Sequence, residues 1–347
     1  MQEVTLRQPD DWHVHLRDGS VLEAVLPYTA RQFGRAIIMP NLSTPVTTPS
    51  QAASYRRRIL QALPEDANTA RFMPLMTAYL TDDIQVGDLV EGFQDGVFHA
   101  AKLYPANATT NSSHGVTDIK KLAPVFRKMQ EIGMPLLIHG EVTNPDVDIF
   151  DREAIFIRDV LKPLINEFSG LKVVLEHITT QQSVDFIRSM EGRVGATITA
   201  HHLIINRNAM FQGGLRPHHY CLPVAKREEH RLALREAATS GHPAFFLGTD
   251  TAPHPVGAKE MDCGCAGIFS ALSALELYAQ VFEEENALDK LEGFASLHGP
   301  AFYGLKANEG LVTLVKQDWQ VPEHLDIPDG QQIRPFQAGE TLRWKLL

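Results

Sequence analysis

The sequence predicts an α/β protein whose fold is a (β/α)8 TIM barrel. Two observations support this prediction: eight short apolar segments, and segments of helical periodicity between them. Most of the apolar segments are continuous hydrophobic runs, which is typical of parallel strands buried on both faces. Eight strands that alternate with helices in 347 residues fit a closed barrel. A doubly wound open sheet remains the structural alternative, because periodicity does not show closure.

The predicted strands are separated by intervals long enough for a helix. They are residues 12–16, 35–41, 72–80, 99–105, 135–141, 172–178, 195–202 and 244–250. Residues 117–133 form one of the predicted helices, which opens on Thr117 as a possible N-cap and closes on Gly133. We expect a single domain over residues 1–347, with a short C-terminal tail of about 311–347 packed on the barrel.

Composition and charge exclude several classes of protein. No apolar run reaches the roughly 18 residues that a membrane span needs, and the N-terminal residues have no apolar core for a secretory signal. Three cysteines cannot form a disulfide framework, which favours a reducing compartment. A net charge of -10 without a basic run argues against nucleic-acid binding. We therefore predict a cytoplasmic protein that binds neither membranes nor nucleic acids.

Titratable side chains occur on the predicted strands, at the ends where a barrel gathers its chemistry. His13 and His15 are two residues apart on a strand, so their rings point to one face. His139, His177 and Asp250 end three later strands. Any one of them alone could be a core histidine or a helix cap. Together, four histidines and an aspartate predict a site at the C-terminal rim for a borderline divalent metal such as zinc.

Lys102 lies in an apolar strand, where an unpaired ammonium is costly. Deprotonating a lysine at neutral pH costs about 4.6 kcal/mol, and a single nitrogen lone pair cannot bridge two metals. A lysine carbamylated by carbon dioxide offers two oxygens and a negative charge, which suit a bridge. A salt bridge to a carboxylate is the alternative.

Two bridged metals would hold a water and lower its pKa towards about 7. Asp250 could accept the water's remaining proton and pass it to a leaving nitrogen. This chemistry predicts metal-assisted hydrolysis of a C–N bond. Phosphate esters are disfavoured, because no glycine-rich phosphate loop appears near the strand ends.

Seven motifs together resemble the dihydroorotases of the short bacterial class, within the amidohydrolase superfamily. They are DDWHVHLRDG, IIMPNL, AAKLYPANATTNSSHG, IHGE, EHITT, LGTDTAPH and CGCAG, and the resemblance covers essentially the whole chain. It implies a single amidohydrolase barrel domain, usually a homodimer, that acts in de novo pyrimidine synthesis. The implied reaction is the reversible cyclisation of N-carbamoyl-L-aspartate to L-dihydroorotate.

The resemblance also implies a cofactor: two Zn²⁺ per chain, bridged by N6-carboxylated Lys102 and a hydroxide. His13, His15 and Asp250 would bind one zinc, and Asp250 would also be the general base and acid. The second zinc would be bound by His139 and His177.

Substrate-binding residues follow from the same resemblance. Arg17, Asn41 and His254 would grip the substrate carboxylate, and backbone groups near Leu222 and Ala266 would read the ring amide. Arg17 lies two residues after His15, and its planar fork suits a carboxylate. The alternatives are a surface salt bridge for Arg17, a turn cap for Asn41 and an exposed loop position for His254.

Residues 104–115 contain almost nothing to bury, and such a segment is most often a solvated loop. Beside the predicted site it could act as a lid, with the hydroxyls of Thr109 and Thr110 on the bound substrate. The resemblance favours the lid.

The remaining histidines and cysteines receive no catalytic role. We expect two His-His pairs at rim or loop positions and a Cys-x-Cys in loop packing, namely His201, His202, His218, His219, Cys263 and Cys265. The rival enzyme is a hydantoinase- or allantoinase-like cyclic amidase, which should lack the grip of Arg17, Asn41 and His254. The rival outside enzymes is a catalytically silent scaffold, which would be expected to lose metal ligands.

Overall fold

Eight parallel strands form the centre of the structure, and their order in the sheet is their order in the chain. The computed structural model describes residues 2–66, 69, 71–190 and 192–347. A short strand β1 (Glu3–Arg7) precedes the eight. They are β2 (Asp10–Val14), β3 (Arg35–Ile38), β4 (Met73–Tyr79), β5 (Phe98–Leu103), β6 (Leu136–Ile138), β7 (Val173–Leu175), β8 (Val194–Ile198) and β9 (Phe245–Leu247). Each matches one predicted strand, so the sequence-based assignment is confirmed.

The first and last strands of this sheet meet just beyond their carboxyl ends. Val14 pairs in parallel with Thr251. The backbone N–H of His15 donates to the Thr251 carbonyl over 3.0 Å, and that of Asp250 donates to the His13 carbonyl over 2.9 Å. These bonds close the sheet into a barrel, so the open doubly wound alternative is wrong. Closure also brings Asp250, near the end of the barrel sequence, beside the histidines at its beginning.

Helices cover the outside of the barrel. They are α1 (Gly19–Ala30), α2 (Pro49–Gln61), α3 (Val86–Gln94), α4 (Ala123–Ile132), α5 (Arg152–Phe156), α6 (Lys162–Glu167), α7 (Gln181–Arg188), α8 (Ala200–Ile204), α9 (Glu228–Thr239), α10 (Val256–Lys259), α11 (Ala274–Glu284) and α12 (His298–Tyr303). Helix α4 ends at Gly133, whose φ of 74° requires the left-handed region that glycine enters most easily. The predicted start of this segment is wrong. Asp118, not Thr117, caps the short 3₁₀ turn that leads into α4, because Thr117 is bonded to Asp82.

The barrel interior is filled below the site by a separate cluster of buried apolar residues. Its members are Trp12, Ile37, Met39, Leu75, Ala100, Leu137, Val174 and Phe246. Strand β8 contributes Gly195 at this level instead of a side chain. The Phe246 ring packs against that glycine, and a Cβ built on Gly195 would lie 2.7 Å from the ring. Trp12 stacks on Tyr303 of α12 with ring centroids 4.3 Å apart. This apolar plug gives the polar groups above it a rigid, dry floor.

The C-terminal segment forms four more strands: β10 (Leu311–Gln320), β11 (Leu325–Asp326), β12 (Gln332–Ile333) and β13 (Thr341–Leu346). Strand β10 lies between β1 and β13 in an antiparallel sheet. Leu314 and Trp344 from this segment are buried in the main core. The sequence did not predict β1, because it is mostly exposed and its partner lies about 300 residues away. Among the described residues, no helix combines the length and hydropathy needed to cross a membrane.

Candidate active site

Three potential metal ligands converge at the carboxyl end of β2. Nε2 of His13 lies 3.2 Å from Nε2 of His15. Oδ1 of Asp250 lies 3.3 Å from the first of these nitrogens and 3.1 Å from the second. All three side chains are at least nine-tenths buried. Two imidazole nitrogens and a carboxylate oxygen around one point form the donor set that zinc prefers.

Two further histidines continue the cluster across the barrel mouth. The His177 ring lies between those of His13 and His139, with centroids 4.9 Å from each. His139 directly follows β6, and His177 follows β7 by two residues. The φ angles of His177 and Asp250 are 42° and 45°. Non-glycine residues rarely adopt this left-handed conformation, and such positions concentrate at functional sites.

Burial favours the neutral form of His13 and His177, because it lowers the pKa of each ring. Burial, reinforced by the Lys102 ammonium, keeps the pKa of His13 well below its usual range. Burial and the neighbouring His139 do the same for the pKa of His177. Nδ1 of His177 is buried, and no hydrogen-bond partner for it exists among the described residues. Neutral imidazoles with unused lone pairs are what a metal needs from its ligands, so these residues fit a metal.

Lys102 lies in β5 and is completely buried. Its Nζ is 3.6 Å from Oε2 of Glu176, which is within ion-pair range but too long for a hydrogen bond. Burial lowers the pKa of Lys102 to about 7. This lower pKa favours the free amine, which is the form that reacts with carbon dioxide. The ion pair and the carbamate both remain compatible with this geometry.

Three carboxylates beside the cluster were missed by the sequence analysis. Nε2 of His139 lies 2.7 Å from Oε2 of Glu141, and Nδ1 of His13 contacts Oε2 of Glu176. Asp11 accepts hydrogen bonds from the backbone N–H groups of His13 and Thr249 at 3.2 and 2.9 Å. Glu141 and Glu176 contact imidazole nitrogens, as carboxylates that orient metal-binding histidines commonly do, whereas Asp11 binds the backbone. The available signal was a glutamate within two residues of a candidate histidine in IHGE and EHITT.

The predicted carboxylate-binding residues lie on the same rim. Nη2 of Arg17 is 2.9 Å from Nε2 of His254, and Arg17 Nε donates to the carbonyl of Pro253 at 3.1 Å. Asn41 is next to the metal ligands, because its Oδ1 lies 2.8 Å from Nδ1 of His15. The structure thus brings Arg17, Asn41 and His254 to one mouth. Arg17 and Asn41 line the pocket directly.

The segment after β5 lies across this mouth. The hydroxyl of Thr110 donates to the carbonyl of Ala266 at 3.2 Å. The amide of Asn41 donates to the Thr110 carbonyl at 3.1 Å, and Asn111 donates to the Asn41 carbonyl at 3.0 Å. The cavity that remains beneath this segment is small, with a volume of ≈ 20 Å³. Its walls are His13, His15, Arg17, Asn41, Tyr104, Thr109, Thr110, His139, His177, Cys221, Leu222, Asp250, Ala252, Ala266 and Gly267.

The remaining histidines and cysteines differ from one another in burial. His201 and His202 lie in α8, which begins two residues after β8 ends and so stands at the rim, and both are buried. They pack beside Cys221, whose Sγ is 3.5 Å from Nε2 of His202. A five-residue helix has too short a pattern to indicate this burial in the sequence. His218 is bonded to Glu260, and His219 to the carbonyl of Ala209; Cys263 is exposed.

Comparisons with known proteins identify the family of the chain. Residues 11–317 match the model of the amidohydrolase family. A dihydroorotase of Ralstonia pickettii (strain 12J) is 62% identical over 343 residues, which cover 99% of this chain and 98% of the relative. A crystal structure of the dihydroorotase of Saccharomyces cerevisiae, in complex with 5-fluoroorotic acid, superposes with a TM-score of 0.92. It is 36% identical and covers 100% of this chain and 99% of that one.

The hydantoinases, one of the rival classes, are more distant. An L-hydantoinase of Arthrobacter aurescens has a TM-score of 0.81, covering 99% of this chain and 82% of its own. At 15% identity this likeness shows a shared fold alone. The chain belongs to the amidohydrolase family and, within it, to the dihydroorotases, which are metal-dependent cyclic amidohydrolases that act on a small-molecule substrate.

Proposed function

We propose that the protein catalyses the reversible cyclisation of N-carbamoyl-L-aspartate to L-dihydroorotate in pyrimidine synthesis. The observation that carries this proposal is the meeting of two groups of residues at one barrel mouth. One group is the ligand cluster around His13, His15 and Asp250. The other is the cationic edge formed by Arg17 beside His254. A metal centre next to a carboxylate grip suits an anionic ring amide better than a neutral one.

Two zinc ions are the proposed cofactor. His13, His15 and Asp250 would hold one, and His139 and His177 the other. A carboxylated Lys102 would join them, and its low pKa supports this assignment. When bound, such ions would lower the pKa of a water molecule and polarise the ring carbonyl.

The chain's own residues would bind and orient the substrate. Arg17 would offer guanidinium N–H groups to a carboxylate, with Asn41 and His254 at the same mouth. The peptide groups of Leu222 and Ala266 would read the ring amide. Thr109 and Thr110 would close the mouth and exclude water, as supported by the bond from Thr110 to Ala266.

Asp250 would be the general base and acid. In ring opening it would accept the remaining proton of the activated water while the oxygen bonds to the ring carbonyl carbon. When the C–N bond breaks, it delivers that proton to the leaving nitrogen. Cyclisation follows the same steps in reverse. The bond from its own N–H to the His13 carbonyl supports this role by fixing Asp250 at the mouth.

We further propose that residues 1–347 form one amidohydrolase barrel domain, with residues 311–347 as a tail packed on it. The pairing of β10 with β1 supports this division. A homodimer and a cytoplasmic location complete the proposal, the first from resemblance and the second from the cysteine content.

The experiment is turnover of L-dihydroorotate by the purified protein, with metal content measured on the same sample. Hydantoin and allantoin serve as competing substrates. We expect opening of dihydroorotate alone, abolished by a chelator, with about two metals per chain. Full metal loading without dihydroorotate turnover would leave the metal centre intact but contradict the proposed substrate.

A further inference from the structure

Lys259, the last residue of α10, is a buried lysine that the proposed chemistry does not use. Only 3% of its surface is exposed. Its Nζ donates to three backbone carbonyls: those of Tyr220 at 2.8 Å, Cys265 at 2.8 Å and Gly267 at 2.7 Å. An ammonium has three N–H donors, and each of them is used here.

The partners of this ammonium are all neutral. Among residues 2–66, 69, 71–190 and 192–347, no carboxylate forms an ion pair with Lys259. Burying a charge is costly unless hydrogen bonds compensate, and bonds from a charged donor are roughly twice as strong as neutral ones. The three carbonyls therefore provide the main local compensation, and their positions are tied to that of the ammonium.

The three carbonyls belong to two segments of the pocket wall. One segment carries Tyr220 and leads to Leu222, and the other runs from Cys265 to Gly267. The N–H of Gly267 also donates to the Tyr220 carbonyl at 3.0 Å, which joins the segments directly. Lys259 thus holds together the two stretches of backbone that carry the proposed readers of the ring amide.

Ala266 is the most constrained of these readers. Lys259 holds the peptide before Ala266 through the Cys265 carbonyl. The peptide after Ala266 is held by the bond from the Gly267 N–H to the Tyr220 carbonyl, which Lys259 also binds. The Ala266 carbonyl lies 3.0 Å from Nε2 of His254 and accepts the Thr110 hydroxyl. A rotation of this peptide would disturb the ring-amide contact, the carboxylate grip and the closed loop together.

Close packing also restricts the backbone from Gly264 to Gly267. Gly267 has a φ of 148°, and a Cβ built there would lie 2.6 Å from the Ala252 carbonyl. A Cβ on Gly264 would lie 2.4 Å from the carbonyl of Lys259 itself. The glycines let the backbone fold closely around the lysine.

We propose that Lys259 is a positioning residue for the substrate ring, whose ammonium orients the peptide groups around Leu222 and Ala266. This inference rests on the proposed function and deepens it. Lys259 touches no reacting atom. It acts through the backbone that it holds.

The test is the variant Lys259→Met, which keeps an unbranched side chain of similar length and removes all three donors. We expect KM for L-dihydroorotate to rise by about 10- to 100-fold, with a smaller change in kcat. Metal content should equal that of the unmodified protein, because none of the proposed metal ligands contacts Lys259. Lys345→Met, at an exposed position in β13, is the matched control and should leave KM unchanged.

Lys259→Arg retains the charge but not the geometry of three converging donors. Its KM should therefore lie between that of the unmodified protein and that of Lys259→Met. If Lys259→Met does not fold, the arginine variant decides by the same measurement. An unchanged KM in the folded variants overturns the inference, and so does a loss of kcat that parallels a loss of metal. Failure of the proposed function is distinguishable, because the unmodified protein would then not open dihydroorotate at all.

Discussion

The hydroxyl of Thr110 donates to the carbonyl of Ala266 over 3.2 Å, joining the loop after β5 to the loop after β9. These loops come from opposite parts of the barrel sequence and enclose the pocket between them. The loop with Thr110 also accepts a bond from Asn41, which contacts His15. The Asn41 side chain therefore connects the loop that closes the mouth to the ligand cluster.

The paired variant Thr109→Ala with Thr110→Ala tests the lid. Loss of these hydroxyls removes the bond to Ala266 and any bond to the substrate, so kcat should fall by about tenfold or more. Metal content should stay the same, because neither threonine is a proposed ligand. Steady-state kinetics and metal analysis check both statements. Thr5→Ala, on the exposed β1, is the control, and unchanged kinetics in the paired variant would exclude a lid.

Lys102→Met tests the bridge. The variant keeps the buried volume but can form neither a carbamate nor an ion pair with Glu176. We expect fewer metals per chain and a loss of activity beyond the roughly 100-fold that indirect changes around a metal produce. Metal analysis and turnover measure the two effects. A variant with its full metal content would show that Lys102 is not a bridge, and would favour the ion pair at 3.6 Å.

Glu141→Gln tests the support of His139. The carboxylate lies 2.7 Å from Nε2 of His139, which leaves Nδ1 as the ring nitrogen available to a metal. A neutral amide holds the ring less strongly and makes it a weaker base. Metal affinity should fall by about 10- to 100-fold, measured by competition with a chelator. Equal affinity in the two proteins would assign Glu141 a packing role.

Arg17→Lys tests the carboxylate grip. Lysine keeps the positive charge but loses the planar fork that binds a carboxylate through two parallel bonds. KM for L-dihydroorotate should rise by about 10- to 100-fold, the size expected for one charged hydrogen bond. Metal content should not change. A loss of kcat with KM unchanged would instead place Arg17 in the chemical step.

Asp82→Asn tests the anchor at the far end of the lid segment. Hydrogen bonds from Lys121 and Thr117 lower the pKa of Asp82 to about 2, below its usual value of 3.8. A carboxyl whose pKa is depressed on folding contributes stability above its unfolded pKa and loses it as pH falls. The unmodified protein should therefore be more stable than the variant at pH 7, and the difference should shrink from about pH 4 to pH 2. Urea unfolding across this range measures it, and a constant difference would contradict the assignment.

Most of the barrel was predictable because its strands are buried on both faces. Runs such as Val173–Leu175 are short continuous apolar stretches, which local composition reveals without a partner. Strand β1 was missed because it is mostly exposed and is a strand only through its pairing with β10, which is far away in the chain. The burial of His201 and His202 was missed for a related reason, since a five-residue helix has no readable period.

The sequence by itself determined the order of the barrel strands and the identity of the residues at their ends. His13, His15, His139, His177 and Asp250 follow from strand ends that parallel pairing must place at one rim. The tertiary structure alone decided how the barrel closes, through the bonds between residues 13–15 and 250–251. It also decided which carboxylates stand behind the histidines, and that Lys259 ties two distant loops together. The physical reason is that the burial of a strand can be inferred from the apolar residues adjacent in its own sequence. A buried hydrogen bond depends instead on two segments that meet only after folding.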